Sequence, residues 1–227
     1  MLRVTFEKEL QSLEDQIISL GSQVEENIVK SVDALVQRDL RLSRQFIVED
    51  TAVNEKRIQI GLDGLSLIAR QQPMAGDLRL IAAIIEIVGE LERIHDYVKG
   101  IGKISLLLGE KEVLPSIVEL LPQMALLTQD MLHRSLDAFT ARNANLARAI
   151  PAADNKIDAL YNRIYREIIS YVIQNSAEVE HANQLEWAVH NLERSADRVT
   201  NICEWIVYLV DGNYVEMDSE FEAPPTV

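Results

Sequence analysis

One cysteine in 227 residues, Cys203, excludes an internal disulfide and a zinc–thiolate cluster. It lies in the apolar run Ile202-Cys203-Glu204-Trp205-Ile206-Val207, where a small core residue is the default reading. Aromatics are also sparse, 5% against 48% hydrophobic residues overall. An apolar stock dominated by Leu, Ile, Ala and Val suits helix-on-helix packing better than a sheet sandwich. Basic residues are outnumbered, 22 Lys and Arg against 36 Asp and Glu, for a net charge of −14. That balance repels nucleic-acid backbones and disfavours adsorption onto anionic lipid. No run approaches the ~20 apolar residues that cross a bilayer; the stretch Leu78–Leu91 is interrupted by Glu86, Gly89 and Glu90. The opening MLRVTFEKELQSLEDQ has no apolar core of signal-peptide length, so a soluble, cytoplasmic protein is expected. There is no nucleophile constellation and no glycine-rich phosphate loop.

What the chain does have is a repeated phrase. LERIHDYVKGI, Leu91–Ile101, returns as LERSADRVTNI, Leu192–Ile202, both spelling L-E-R-x-x-D-x-V-x-x-I. The repeat is wider than this motif. Ser31-Val32-Asp33-Ala34-Leu35 is answered 104 positions later by Ser135-Leu136-Asp137-Ala138-Phe139. The same offset carries Arg38 onto Arg142, Leu42 onto Leu146, Asp50 onto Asp154 and Asn54 onto Asp158. At the Leu-Glu-Arg phrase the offset is 101, which places a three-residue difference around Gln71–Asp77 versus Asn175–Glu180. A long period of this kind marks a duplicated supersecondary unit.

Helical periodicity runs through both copies, with no convincing alternating strand. Phe6, Leu10, Leu13, Ile17, Leu20, Val24, Ile28 and Val32 step by three and four along a first helix, about 4–38. Asp39 marks a break before a second, about 40–71, and Asp77 is the expected N-cap of a third, about 78–108. Gly109, Pro115 and Pro122 punctuate the connection; helices of about 121–141, 146–175 and 181–210 follow, stopped by Asp211-Gly212-Asn213. The expected fold is all-α: two tandem three-helix bundles, residues 1–108 and 121–212, with a connection at 109–120 and a disordered tail at 213–227.

The duplicated phrase carries paired carboxylates, Glu92/Asp96 and Glu193/Asp197. An i,i+4 spacing stacks both on one helix face, where like charges weaken the helix by a few tenths of a kcal/mol unless a cation neutralises them. Both pairs fall at the edge of the apolar stripe. On the last helix Glu186, His190, Glu193, Asp197, Asn201 and Glu204 share one narrow arc. Carboxylate oxygens with an occasional imidazole suit iron, manganese, magnesium or zinc. Asp154/Asp158, and Asp50 with Asn54, offer a second wall from the neighbouring helix. A solvated acidic face is the default reading for any single such pair; duplication is what sets these apart.

The sequence resembles the PhoU family, cytoplasmic regulators of high-affinity phosphate uptake whose hallmark is a twofold L-E-R-I-G-D phrase. ARQQPMAGDLRLI, Ala69–Ile81, and NICEWIVYLVDG, Asn201–Gly212, resemble that family's flanking motifs closely, and the likeness runs from about Phe6 to Gly212. The resemblance implies two metal sites, in places multinuclear iron clusters. They would fall on Asp50, Asn54, Glu92 and Asp96 in the first half and on Asp154, Asp158, Glu193 and Asp197 in the second. It implies a non-enzymatic role as well: restraint of an ATP-driven phosphate importer, through its ATPase subunit, and of a phosphate-sensing histidine kinase. The protein would sit peripherally at the inner membrane face through these partners, and a homodimer is expected. Departures are His95 and Ala196 before the Asp, Gly100 against Asn201, Lys56-Arg57 after Asn54, and the neutrality of Asn54 itself. The last makes the first half the weaker metal site.

Two other readings stay open at this stage. Glu92-x-x-His95 and Glu178-x-x-His181 have the spacing of a di-iron carboxylate enzyme, though Ala196 breaks the repeat of that pattern. A metal-free helical adaptor would keep the bundle and leave the acidic stripes solvated. His95 is expected packed or partly solvated, and His133 and His181 at the surface.

Overall fold

The structure, a computed structural model, describes residues 2–217, and among these there is no strand. Among the described residues seven α-helices follow one another: α1 (Leu2–Gln37), α2 (Leu40–Gln71), α3 (Gly76–Leu108), α4 (Leu120–Thr140), α5 (Ala144–Ala149), α6 (Asp154–Gln174) and α7 (Val179–Asp211). Helices α1 to α3 form one bundle and α4 to α7 the other. They join along α3 and α7, the most extensive packing in the molecule, and again along α1 and α4. None of the helices is long and apolar enough to cross a membrane.

The stripe on α1 explains the packing. Leu13, Ile17, Leu20, Val24, Ile28 and Val32 are all buried, and Phe6 closes the end. They belong to a single apolar cluster that continues through Ile84, Leu91 and Ile94 of α3 into Leu192, Val199 and Cys203 of α7. The duplicated halves therefore share one core. Glycine makes the closest approaches possible. A Cβ on Gly102 would sit 2.7 Å from the Ser43 carbonyl oxygen of α2, and one on Gly100 would sit 2.8 Å from the Asn191 side chain of α7. The second contact gives a physical reason for Gly100 where the other copy has Asn201.

Duplication extends to the backbone of the turns. Arg38 and Arg142 both adopt positive φ, 60° and 50°. The next residue in each copy is the N-cap: Asp39 accepts from the Leu42 N–H at 2.9 Å, and Asn143 from the Leu146 N–H at 3.0 Å. These bonds satisfy helix donors that have no partner within the helix.

Three sequence expectations change. The helix expected over 146–175 is broken: α5 ends at Ala149, Pro151–Ala153 forms a tight 3₁₀ turn, and α6 starts at Asp154. Pro151 has no N–H to donate back along the helix, and its ring crowds the carbonyl one turn earlier. The first copy has Ile47 at that position, and α2 runs on unbroken. Asp77 is not the N-cap of α3; Ala75 occupies that position and Asp77 lies in the first turn, where its charge still suits the helix dipole. The tail expected from 213 does not leave the fold at once. Tyr214 donates its hydroxyl to Glu204 Oε2 at 2.7 Å, and the Met217 N–H donates to Glu204 Oε1 at 2.6 Å. The rest of that tail, 218–227, lies outside the described residues.

Candidate metal centre

The two halves place their carboxylates alike and neutralise them differently. In the first, Asp50 of α2 is buried and Glu92 and Asp96 of α3 lie half-buried beside it. Lys99, one turn beyond Asp96, reaches between the helices: its Nζ is 2.7 Å from Asp50 Oδ2 and 2.5 Å from Asp96 Oδ1. Asn54 Nδ2 adds a 3.2 Å bond to Asp50 Oδ2, and His95 Nδ1 lies 3.4 Å from Asp50 Oδ1. Burial works to raise the Asp50 carboxyl, but the hydrogen bond and charge of Lys99 outweigh it and hold the group below its usual range. Burial also lowers His95, against the opposing pull of Asp50. Glu92 is raised by burial and by Asp96, with Arg57 and Arg93 opposing.

In the second half no lysine intervenes. Asp154 is 3% exposed and its Oδ1 has no hydrogen-bond partner. Burial and repulsion from Asp158 and Asp197 push its carboxyl up to about 7. Glu193 is likewise pushed up to about 7, by burial and then by Asp197, with Asp158 and Asp154 adding to it. Burial raises both Asp158 and Asp197, and Asp197 adds to the rise of Asp158 across the α6–α7 junction. Two arginines oppose the rise of Asp197: Arg194, whose Nη1 bonds Asp197 Oδ2 at 2.8 Å, and Arg198. Glu193 Oε2 is buried without a hydrogen bond; His190 Nδ1 lies 3.4 Å away but out of alignment. Asp154 and Asp197 open onto a cleft of about 230 Å³ that Arg198, Thr200, Asn201 and Glu204 also line.

These four side chains fit a metal by chemistry, since two buried carboxylate oxygens, Asp154 Oδ1 and Glu193 Oε2, lack hydrogen bonds and the donor set is oxygen. They are not drawn together as in a finished site: among the described residues, no three of His, Cys, Asp and Glu are close enough to hold an ion. The rest of the acidic line on α7 is already partnered. Glu186 accepts from Tyr161 at 3.1 Å, Asn201 donates to Glu90 at 3.3 Å, and Glu204 holds the tail.

The histidines do not assemble a di-iron site. His95 is fully buried, with Nε2 3.3 Å from Asn27 Nδ2 and Nδ1 facing Asp50. His133 is exposed, as expected, but His181 is buried, packed edge-on against Tyr171 at 6.4 Å, and Glu178 pairs with Lys111 at 2.9 Å. Burial of His181 follows from the α6–α7 junction folding Tyr171 over it, which its position near a helix start did not reveal. Sequence reading also passed over Lys99. The signal was present: under the offset of 101, Lys99 aligns with Thr200, and under that of 104, Arg57 aligns with Tyr161.

A PhoU domain model matches residues 17–105 and again 121–206, one match per bundle. The chain belongs to the PhoU family. It is 33% identical over 220 residues to the phosphate-specific transport system accessory protein PhoU homolog of Clostridium acetobutylicum, covering 96% of this chain and all of that one. Against the PhoU homolog of Streptococcus pneumoniae serotype 4 the identity is 35% over 217 residues, again 96% of this chain and all of the relative. The Escherichia coli accessory protein PhoU is 32% identical over 207 residues, 91% of this chain and 86% of the relative. Among solved structures, the PhoU of S. pneumoniae superposes with a TM-score of 0.86 at 33% identity, over 93% of this chain and all of that one. The PhoU of Pseudomonas aeruginosa gives 0.86 at 30% identity, over 92% and 100%. Both family matches contain their Leu-Glu-Arg phrase, so the duplicated carboxylates sit inside the shared architecture.

Proposed function

We propose that this protein is a non-enzymatic accessory and regulatory component of a phosphate-specific transport system, responsive to a metal held by Asp154, Asp158, Glu193 and Asp197. Similarity over nearly the whole chain to proteins named for that role supports the first part. The observation that carries the second is the pair of buried oxygens without a hydrogen bond, Asp154 Oδ1 and Glu193 Oε2, in a group of mutually repelling carboxylates. Repulsion of this kind disfavours the ionised cluster and is relieved by a proton or a cation. A divalent or trivalent ion, with iron first and manganese, zinc or magnesium as alternatives, would supply that neutralisation and draw α6 against α7. Arg194 limits the excess charge at the rim, and the 3₁₀ turn at Pro151–Ala153 sets Asp154 at the start of α6, facing α7.

Regulation then works by contact. The helical faces bind the ATPase subunit of the importer and the phosphate-sensing histidine kinase, and hold both in their restrained states when phosphate is ample. The protein acts from the cytoplasm, at the membrane through its partners, and as a homodimer. Two measurements test this. Affinity capture of the full chain from solubilised membranes, at high and low phosphate, is expected to recover the importer's ATPase subunit and the kinase; recovery of neither rejects the regulatory reading. Elemental mass spectrometry of protein purified without chelator or nickel is expected to find metal that Glu193→Gln/Asp197→Asn lacks. Equal metal in both proteins rejects the second-half site.

A further inference from the structure

We propose that the first carboxylate cluster is not a metal site in this protein, because the Lys99 ammonium is its permanent, tethered cation. Metal response is thereby confined to the second half. The inference rests on the preceding reading only for the second half's metal; its own ground is the α2–α3 junction.

The donor set there does not fit a metal. A cation bound between α2 and α3 needs the free oxygens of Asp50 and Asp96, and the Lys99 Nζ already contacts both, at 2.7 and 2.5 Å. The other Asp50 oxygen faces His95, and Asn54 takes a further bond to the oxygen that Lys99 holds. No side-chain oxygen of Asp50, Glu92 or Asp96 is among the buried unpartnered atoms, whereas Asp154 and Glu193 each contribute one. A second positive charge, Arg57, opposes the burial of Glu92. Bringing a divalent ion into this space would set it against the ammonium of Lys99 at close range, where like charges repel most.

The repeat supplies the comparison within one chain. Thr200 stands where Lys99 stands, Tyr161 where Arg57 stands and Asp158 where Asn54 stands. Each of the three changes removes positive charge or adds negative charge in the second copy; Arg198, where Tyr97 stands, returns one charge, but it reaches across to Glu90 at 3.5 Å and does not bridge the carboxylates as Lys99 does. Thr200 lines the same cleft as Asp154 and Asp197, so a lysine placed there has the carboxylates within reach. One half is thus closed by a covalently attached cation, independent of conditions, and the other waits for one from solution.

The test is Mn²⁺ uptake by the full chain, read as loss of the free-ion paramagnetic resonance signal. It uses wild type, Glu92→Gln/Asp96→Asn, Glu193→Gln/Asp197→Asn, Lys99→Thr alone and in the last background, and Thr200→Lys. Wild type and Glu92→Gln/Asp96→Asn are expected to take up equal Mn²⁺, and Thr200→Lys to take up none. Lys99→Thr is expected to restore uptake to Glu193→Gln/Asp197→Asn. Uptake in wild type that Glu92→Gln/Asp96→Asn removes overturns the proposal, as does a folded Lys99→Thr that gains nothing. Should wild type take up no Mn²⁺ while Lys99→Thr does, the second-half site fails and the tethered-cation proposal stands. If Lys99→Thr does not fold by circular dichroism, the comparison of wild type with Glu92→Gln/Asp96→Asn decides alone.

Discussion

Replacing Asp154 by Asn is expected to stabilise the metal-free protein, and to do so mainly above neutral pH. Asp154 is buried beside Asp158 and Asp197, and its carboxyl is pushed from an ordinary 3.8 up to about 7. Between those values the folded chain binds more protons than the unfolded chain, so stability falls as pH rises through the window. The loss is complete above about 7. Each pH unit of the window is worth about 1.4 kcal/mol, about 4 kcal/mol as an upper bound for one carboxyl. Glu193 is raised to about 7 by partly the same repulsion. Counting the shared part once leaves roughly 2–3 kcal/mol for Asp154→Asn at pH 8.

In a chain of 227 residues, that corresponds to a rise in melting temperature of roughly 5–10 °C. At pH 5 the gain shrinks to about a third, because wild-type Asp154 is then protonated in the fold and resembles the amide. The assay is a pair of thermal melts by circular dichroism in chelator, at pH 5 and pH 8, for both proteins. Added Mn²⁺ is then expected to raise the melt of wild type and leave Asp154→Asn nearly unmoved. An Asp154→Asn protein that melts at or below wild type at pH 8, or gains equally at both pH values, would refute the reasoning. Asp154 would then be a helix-start residue whose charge is welcome to the dipole.

Other expectations concern the frame around the site. Gly102→Ala drives a Cβ to 2.7 Å from the Ser43 carbonyl and should cost roughly 1–3 kcal/mol in urea unfolding; Gly61→Ala, with open space at its Cβ, should instead gain up to about 1 kcal/mol from helix propensity. Asp39→Ala and Asn143→Ala each remove an N-cap bond, and each should lower stability by about 1 kcal/mol in the same assay. Tyr214→Phe keeps the ring packed 4.9 Å from Trp205 but loses the bond to Glu204. Its expected cost is about 1.5–3 kcal/mol in release of the segment, read as altered Trp205 fluorescence at temperatures below the main melt.

How far the sequence could reach differs between fold and site for a physical reason. Apolar steps of three and four on α1, the break at Asp39, the stop at Asp211-Gly212, and the doubled Leu-Glu-Arg phrase are all local, and each survives into the structure. Pro151 stands in plain view, yet the apolar period runs past it through Leu146, Ile150 and Ile157, so the pattern predicts a continuous helix where the structure has a break. The carboxylate pairs were also legible, because i,i+4 spacing is fixed by one helix. What decides between a pair that wants a metal and one that does not is contributed by a second helix. Lys99 three residues after Asp96 reads in sequence as an ordinary surface pair worth a few tenths of a kcal/mol. It becomes the counterion of a buried group only once α2 brings Asp50 to within 2.7 Å of it. The same logic makes Asp154 the reverse case: α7 brings it more negative charge, and nothing in the described fold answers its Oδ1. Two copies of one motif therefore arrive at opposite electrostatic states chiefly through one of several differing positions, lysine in one and threonine in the other.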